Sequence, residues 1–213
     1  MAANDEPIGQ APDLPWPDVT QDSSGRLIEA AVDAFAERGY HATTTRDIAT
    51  RVGLSPAALY VHFPSKLALL TQISRLGHEA ALELVMKSME GRPDPLSRLQ
   101  AVIGAFASWH AEHHLVARVV QHELSALADD DRRAVIALRQ QIERTVQQLL
   151  EDGVAAGEME VGDPRAVARA LLSLSVDVAR WYDPRGNETP DGIGTLYADL
   201  ATRMVRAPHP RRP

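Results

Sequence analysis

Between Thr45 and Phe63 two short stretches with an apolar inward side are joined by nothing longer than Gly53-Leu54. Ile48, Ala49 and Val52 give the first stretch its inward face, and Gly53 permits a sharp turn. Ser55 caps the second stretch, and Pro56 takes its first position, where a missing N–H costs nothing. This is the sequence form of a helix-turn-helix. Ser55, Ala57 and Ala58 leave little bulk at the start of the second helix, so its end can approach a duplex and its free amides can receive a phosphate. Tyr60 and Lys66 add a phenol and an ammonium beside the flanking backbone. Three short amphipathic helices with glycine turns also occur in helical proteins that never meet nucleic acid, so the pattern alone leaves both readings open.

The rest of the chain reads as helix. Leu27, Ala31, Ala34 and Phe35 recur at three- and four-residue spacing before Gly39, and Thr43, Thr44 and Thr45 offer caps for the next helix. After Pro64, Ser65 caps a long helix from Lys66 toward Met89, with Leu67, Leu70, Ile73, Leu76 and Ala80 on one side. Gly91, Pro93 and Pro95 break it, and Leu96, Leu99, Val102, Ile103, Phe106 and Trp109 mark a fifth. Further amphipathic stretches cover about 115–128, 131–152, 164–182 and 191–206, separated by Asp129 to Asp131, Gly153 to Pro164 and Asp183 to Pro190. Alternating strand patterns are essentially absent, so the expected class is all-α with about nine helices. Residues 1–22, rich in proline and acids, read as a disordered tail. Residues 23–70 form the helix-turn-helix unit, and residues 71–213 form a larger helical domain.

Charge tests the nucleic-acid reading. A net charge of -7 opposes a phosphate-rich partner. The tail, however, holds five acids and no base, whereas residues 23–70 hold five bases against four acids. Of the three segments the helix-turn-helix one alone has a positive balance, +1 against -5 for 1–22 and -3 for 71–213, and its bases can still share a face. With no cysteine, disulfide scaffolds, thiolate metal sites and cysteine nucleophiles are excluded together. The amino end lacks a basic-then-apolar leader, and no apolar run approaches the ~18 residues of a membrane span. A cytoplasmic protein without membrane contact is expected.

The run from Arg26 to Leu70 resembles the N-terminal DNA-binding domain of the TetR family of bacterial transcriptional regulators. The likeness rests on the Ala-Ala-x-x-x-Phe of the first helix, Gly39-Tyr40, Thr44-Thr45, Asp47-Ile48-Ala49, Gly53-Leu54-Ser55 and Leu59-Tyr60-x-His62-Phe63-x-Ser65-Lys66. It implies a homodimer whose recognition helices, Ser55 to His62, enter successive major grooves of an operator. Thr44, Thr45, Tyr60, His62 and Lys66 then fall where the family contacts phosphates. Arg46, Ser55, Pro56 and Ala57 fall within reach of base edges. With few long polar side chains on the recognition helix, thymine methyls, water and DNA shape are expected to supply much of the discrimination.

The family also implies a ligand-binding and dimerising C-terminal domain. The last two helices, near 164–182 and 191–206, are expected to pair with their counterparts, although their apolar stripes serve equally for an internal core. Val178 to Pro184, Gly186, Gly194-x-x-Tyr197 and the His113-His114 to Glu123 region resemble regulators of sterol and fatty-acid catabolism that respond to acyl-CoA thioesters. That resemblance implies an amphiphilic effector, with His113 and Glu123 at its site, Arg118 and Arg180 on its anionic part, and Phe106, Trp109, Leu172, Val176 and Trp181 along its apolar part. Arg180 is equally suited to pair with Asp177 or Asp183 on a solvated face.

A competing class is a helical-bundle metal protein or enzyme using His110, His113, His114 and His122. No specific metal, nucleophile-elbow, phosphate-loop or dinucleotide signature accompanies them, so no catalytic residue, metal or cofactor is expected. In the favoured reading the effector releases the operator by changing the spacing of the two recognition helices. The helix from Lys66 to Met89 is the expected lever, since it begins beside the DNA and ends against the ligand domain.

Overall fold

A short polar side chain stands at the start of most helices and fixes where each begins. The structure is a computed structural model, and it describes Pro15 and residues 23–205. The tail expected over residues 1–22 therefore lies, Pro15 apart, outside the described residues. Among the described residues all regular structure is helical, in nine α-helices: α1 Ser23–Arg38, α2 Thr45–Arg51, α3 Pro56–His62, α4 Lys66–Ser88, α5 Pro95–Glu112, α6 His114–His122, α7 Asp129–Ala155, α8 Pro164–Trp181 and α9 Pro190–Val205. Ser55, Ser65, Asp94 and Asp163 cap α3, α4, α5 and α8 by accepting a backbone N–H. Gly39 and Gly53 close α1 and α2 at φ +81° and +69°, a backbone region that side chains with a Cβ avoid.

Two boundaries differ from the sequence expectation. Asp129, Asp130 and Asp131 do not separate helices; they are the first turn of α7, where carboxylates favour the positive end of the helix dipole. Arg132 and Arg133 pair with Asp129 and Asp130 one turn on and hold that start. The stretch expected as one helix over 115–128 is instead α6 followed by a single 3-10 turn, Leu124–Ala126.

Two large apolar cores, and a smaller cluster of Ala107, Ala111, Val178, Tyr182 and Ile193, run through the described residues. The first joins Leu27, Ala31 and Phe35 of α1, Ile48 of α2, Leu59 of α3 and Leu69, Leu70 and Ile73 of α4 to Val116, Val119 and Val120 of α6. The second joins Val85 of α4 with α5, α7, α8 and α9 through Val102, Phe106, Val146, Leu150, Leu171 and Ala201. Helix α6 therefore belongs to the N-terminal core while also packing on α8. With α4 it links the two parts. The long α4, roughly 34 Å at ~1.5 Å per residue, contributes to both cores.

Helices α5 and α9 approach closely because each places a glycine at the crossing. A Cβ on Gly194 would lie 2.7 Å from the Gly104 carbonyl oxygen, a backbone atom that cannot turn aside. Gly194→Ala would gain about 1 kcal/mol of helix propensity and lose about 1–3 kcal/mol to overpacking. The clash is expected to win, lowering the urea midpoint, whereas Gly162→Ala, with nothing within 4 Å, should leave it almost unchanged.

Candidate nucleic-acid interface and ligand cavity

The helix-turn-helix face begins with the cap of α2. Thr44 Oγ1 accepts the Asp47 amide at 3.1 Å and donates to Asp47 Oδ2 at 2.7 Å, while the Thr44 amide donates to the same oxygen at 2.8 Å. This reciprocal box uses the Thr44 hydroxyl and holds the Asp47 carboxyl below the usual carboxylate range. Beside it, Thr45 Oγ1 and Tyr60 Oη lie 3.2 Å apart, joining the start of α2 to the outer side of α3. Thr43, the third threonine of the run, is buried and donates to the Ala34 and Gly39 carbonyls.

The inward side of α3 is Leu59, followed by Phe63. Its outward side carries Ala57, Tyr60 and Val61 at helical spacing, with Ser55 and His62 also exposed at its two ends and Pro56 half-buried. Tyr60 is 52% exposed and Val61 81% exposed. Sequence reasoning missed Val61. An aliphatic side chain facing out of a short helix, four residues after Ala57, was the signal that could have found it. Arg46 is exposed and makes no hydrogen bond or ion pair among the described residues, while Arg51 is taken by Glu37 and Arg38 lies 3.8 Å from Asp47.

Lys66 is placed differently from the others. Its Nζ donates to the Tyr40 carbonyl at 2.6 Å and the Thr43 carbonyl at 2.7 Å and sits 4.2 Å from the Tyr40 ring centroid. The amine thus braces the loop between α1 and α2 against the start of α4. The Tyr40 amide in turn donates to Glu123 Oε1 at 3.0 Å, which ties that loop to the end of α6.

A cavity of about 240 Å³ lies among α4, α5, α6, α7 and α8. Phe106, Trp109, Leu172 and Val176 line it together with Ala81, Val120 and Ile142, and its polar lining includes His78, His110, Gln121, Arg139, Glu143 and Arg169. The structure does not bring His113, Arg118, Glu123, Arg180 or Trp181 into that lining. Arg118 Nε donates to the Ala179 carbonyl at 2.8 Å and so closes the end of α8. Arg180 forms a two-pronged ion pair with Asp177 on the exposed side of α8, at 2.7 and 2.8 Å. Glu123 holds the Tyr40 amide, the His113 ring stacks edge-on against Trp109, and Trp181 stands exposed at the end of α8.

The four histidines of the competing reading point to different surroundings. His110 faces the cavity, with Nδ1 2.7 Å from the Phe106 carbonyl. His114 stacks on Tyr182, and His122 is exposed at the end of α6. Among the described residues no group of three or more His, Asp or Glu side chains is arranged to hold a metal. No described helix is long and apolar enough to cross a membrane.

Burial pushes the His78 and His110 imidazoles down to about 4 from an ordinary 6.5. Both are neutral when folded and take up a proton near pH 6.5 when unfolded, so their contribution is fully present above that pH. It is lost as pH falls from about 6.5 to about 4, by roughly 3 kcal/mol for each group. Urea unfolding at pH 7.5, 6 and 5 should show stability falling with pH, with a shallower fall in His110→Gln.

The arrangement has counterparts among known proteins. Residues 27–73 match the family described as bacterial regulatory proteins, tetR family, and residues 92–205 match a tetracyclin repressor-like C-terminal domain. The chain is 31% identical over 178 residues to the HTH-type transcriptional repressor KstR2 of Mycobacterium tuberculosis, covering 81% of this chain and 88% of that one. It superposes with a TM-score of 0.80 on a tetR-family regulatory protein from Rhodococcus RHA1, 34% identical, covering 86% and 96% of the two chains. The structure of the ketosteroid transcriptional regulator KstR2 of Mycobacterium tuberculosis gives 0.81 at 27% identity, covering 89% and 99%.

Proposed function

Because the chain belongs to the TetR family and is a DNA-binding transcriptional regulator of that type, we propose that it is a repressor released from its operator by a small amphiphilic effector. The observation that carries the DNA half is the outward face of α3. Ala57, Tyr60 and Val61 stand exposed on α3, and Arg46 on α2 is exposed with no hydrogen bond or ion pair among the described residues, so apolar contact with thymine methyls and one guanidinium are offered by the same helix pair. Thr45, Ser55, Pro56 and His62 flank that face and meet phosphates or base edges; Thr44 acts by capping α2 and Lys66 by bracing its loop.

The chain works as a homodimer through α8 and α9. Leu196, Leu200 and Met204 form an exposed stripe at four-residue spacing on α9, and Leu174 and Trp181 stand exposed on α8. Two such copies hold their α3 helices at the spacing of successive major grooves.

The effector enters the cavity among α4 to α8, where Phe106, Trp109, Leu172 and Val176 receive its apolar part. A flat steroid-like body or the acyl part of a coenzyme A thioester suits such walls, and the ketosteroid regulator KstR2 is a relative whose name points the same way. Binding must favour the arrangement unsuited to DNA, since equal affinity for both shifts nothing. Both α4 and α6 run from the cavity to the N-terminal core, so either can carry the change.

The test is a mobility shift on duplexes from the gene's own upstream region. A specific, salt-sensitive complex weakened by Tyr60→Ala is expected. Retardation that is indifferent to sequence and to Tyr60→Ala would overturn the proposal.

A further inference from the structure

Arg139 of α7 is a half-buried guanidinium on the cavity wall, and among the described residues no carboxylate pairs with it. Its Nε donates to His78 Nε2 at 2.8 Å, and its Nη2 donates to the Val120 carbonyl at 3.2 Å. His78 Nδ1 lies 2.7 Å from the Ser74 carbonyl, an acceptor only, so Nδ1 carries the proton and Nε2 is left to accept from Arg139. The imidazole is therefore a neutral partner. It orients the guanidinium without cancelling its charge.

The acid that might have served is already shared. Glu143, one turn along α7, accepts Arg169 Nε at 2.8 Å and stands 3.6 Å from Arg165 Nε. Arg139 and Arg169 thus share the cavity lining with one glutamate, which Arg165 also approaches from outside that lining. A guanidinium withdrawn from water keeps its charge and is costly to leave without an anion. The other polar groups beside it in the lining, His78, His110 and Gln121, are neutral.

The geometry points to Arg139 as the residue that receives the effector's anionic group, a carboxylate carried on an apolar body that fills the space between Phe106, Trp109, Leu172 and Val176. This rests on the effector reading above and specifies its chemistry. The carboxylate meets the free edge of the guanidinium while His78 keeps the fork oriented. The carboxylate's source is either a free acid or the far end of a dicarboxylic acyl group whose thioester lies toward solvent. Arg139 also holds the Val120 carbonyl, three residues before the Glu123 that grips the Tyr40 amide. A carboxylate drawing on Nη2 therefore acts at the helix that touches both the cavity and the loop before α2.

The test compares full-length protein with Arg139→Met and Arg139→Lys, read by Trp fluorescence and calorimetry. The probes are decanoate, decanol, the coenzyme A monothioester of sebacic acid and decanoyl coenzyme A. Decanoate or the sebacic monothioester should bind the parent chain, and Arg139→Met should weaken it by about tenfold or more. Decanol binding should change little, which shows that the variant cavity is intact, and Arg139→Lys should recover part of the loss. Binding of the free acid assigns the carboxylate to a free acid; binding of the monothioester alone assigns it to the far end of an acyl group. Equal losses for decanoate and decanol, or no binding of either carboxylate, would overturn the assignment of Arg139. Operator release is scored separately. Release by decanoyl coenzyme A that is unaffected by Arg139→Met keeps the effector reading and removes Arg139, whereas carboxylate binding through Arg139 without release keeps the site and removes that reading.

Discussion

Leu200→Glu on α9 is expected to give a folded monomer that binds its operator roughly 10²–10⁴-fold more weakly than the parent chain. Leu200 is 41% exposed in the isolated chain, between Leu196 and Met204 on the same stripe, so a glutamate there can keep its carboxylate in water. In the proposed dimer the same side chain is covered twice, once on each copy, because a two-fold interface repeats every substitution. Burying an unpaired polar group costs roughly 2–7 kcal/mol, enough to separate most dimers at micromolar concentration. A single copy then reads one half-site and loses the gain of joining two. Sedimentation would show the halved mass and anisotropy the lost affinity, with the circular dichroism unchanged. If Leu200→Glu stays dimeric and binds as before, the interface lies elsewhere.

Arg46→Ala should produce the other large change. Arg46 follows Thr45, whose hydroxyl meets Tyr60 of α3, and is exposed with no hydrogen bond or ion pair among the described residues, so its removal costs the fold nothing visible in its contacts. A guanidinium on a base edge is worth about 1–3 kcal/mol and the dimer loses two of them, so operator affinity should fall by roughly 30-fold to 10⁴-fold. If it reads a base, specificity relaxes at one position in each half-site; if it meets a phosphate, the salt dependence drops by about one charge per copy. Lys66→Met is expected to behave differently. Its amine is held by two loop carbonyls and the Tyr40 ring, so the variant should lose stability and DNA affinity together. Unchanged affinity in Arg46→Ala would remove it from the interface.

What could be read in the sequence followed from local chemistry. Ser55, Pro56, Gly39 and Gly53 determine their helix ends from within a few residues, and so does the Thr44–Asp47 box. The Arg180–Asp177 pair also needed only helical spacing. Asp129 to Asp131 misled because three adjacent acids suit both a break and a helix start, and only the dipole with Arg132 and Arg133 decides between them. The cavity was half legible. Phe106 and Trp109 stand out as aromatics on one helix face, but Arg139 meets His78 across 61 residues of chain, which no spacing rule reaches. Lys66 turns inward for the same reason, since its acceptors belong to a loop 23 and 26 residues away. Val61 was hidden by the expectation that an aliphatic residue faces the core.

Selection of duplexes from a random pool by the full-length protein, followed by footprinting of the enriched sequence, tests the operator-bound dimer most directly. A nearly palindromic site is expected, with two protected half-sites centred about one helical turn, ~34–36 Å, apart, and no enrichment by the Arg46→Ala, Tyr60→Ala double variant. A pool that converges on no sequence, or a protected patch covering one half-site alone, would contradict it.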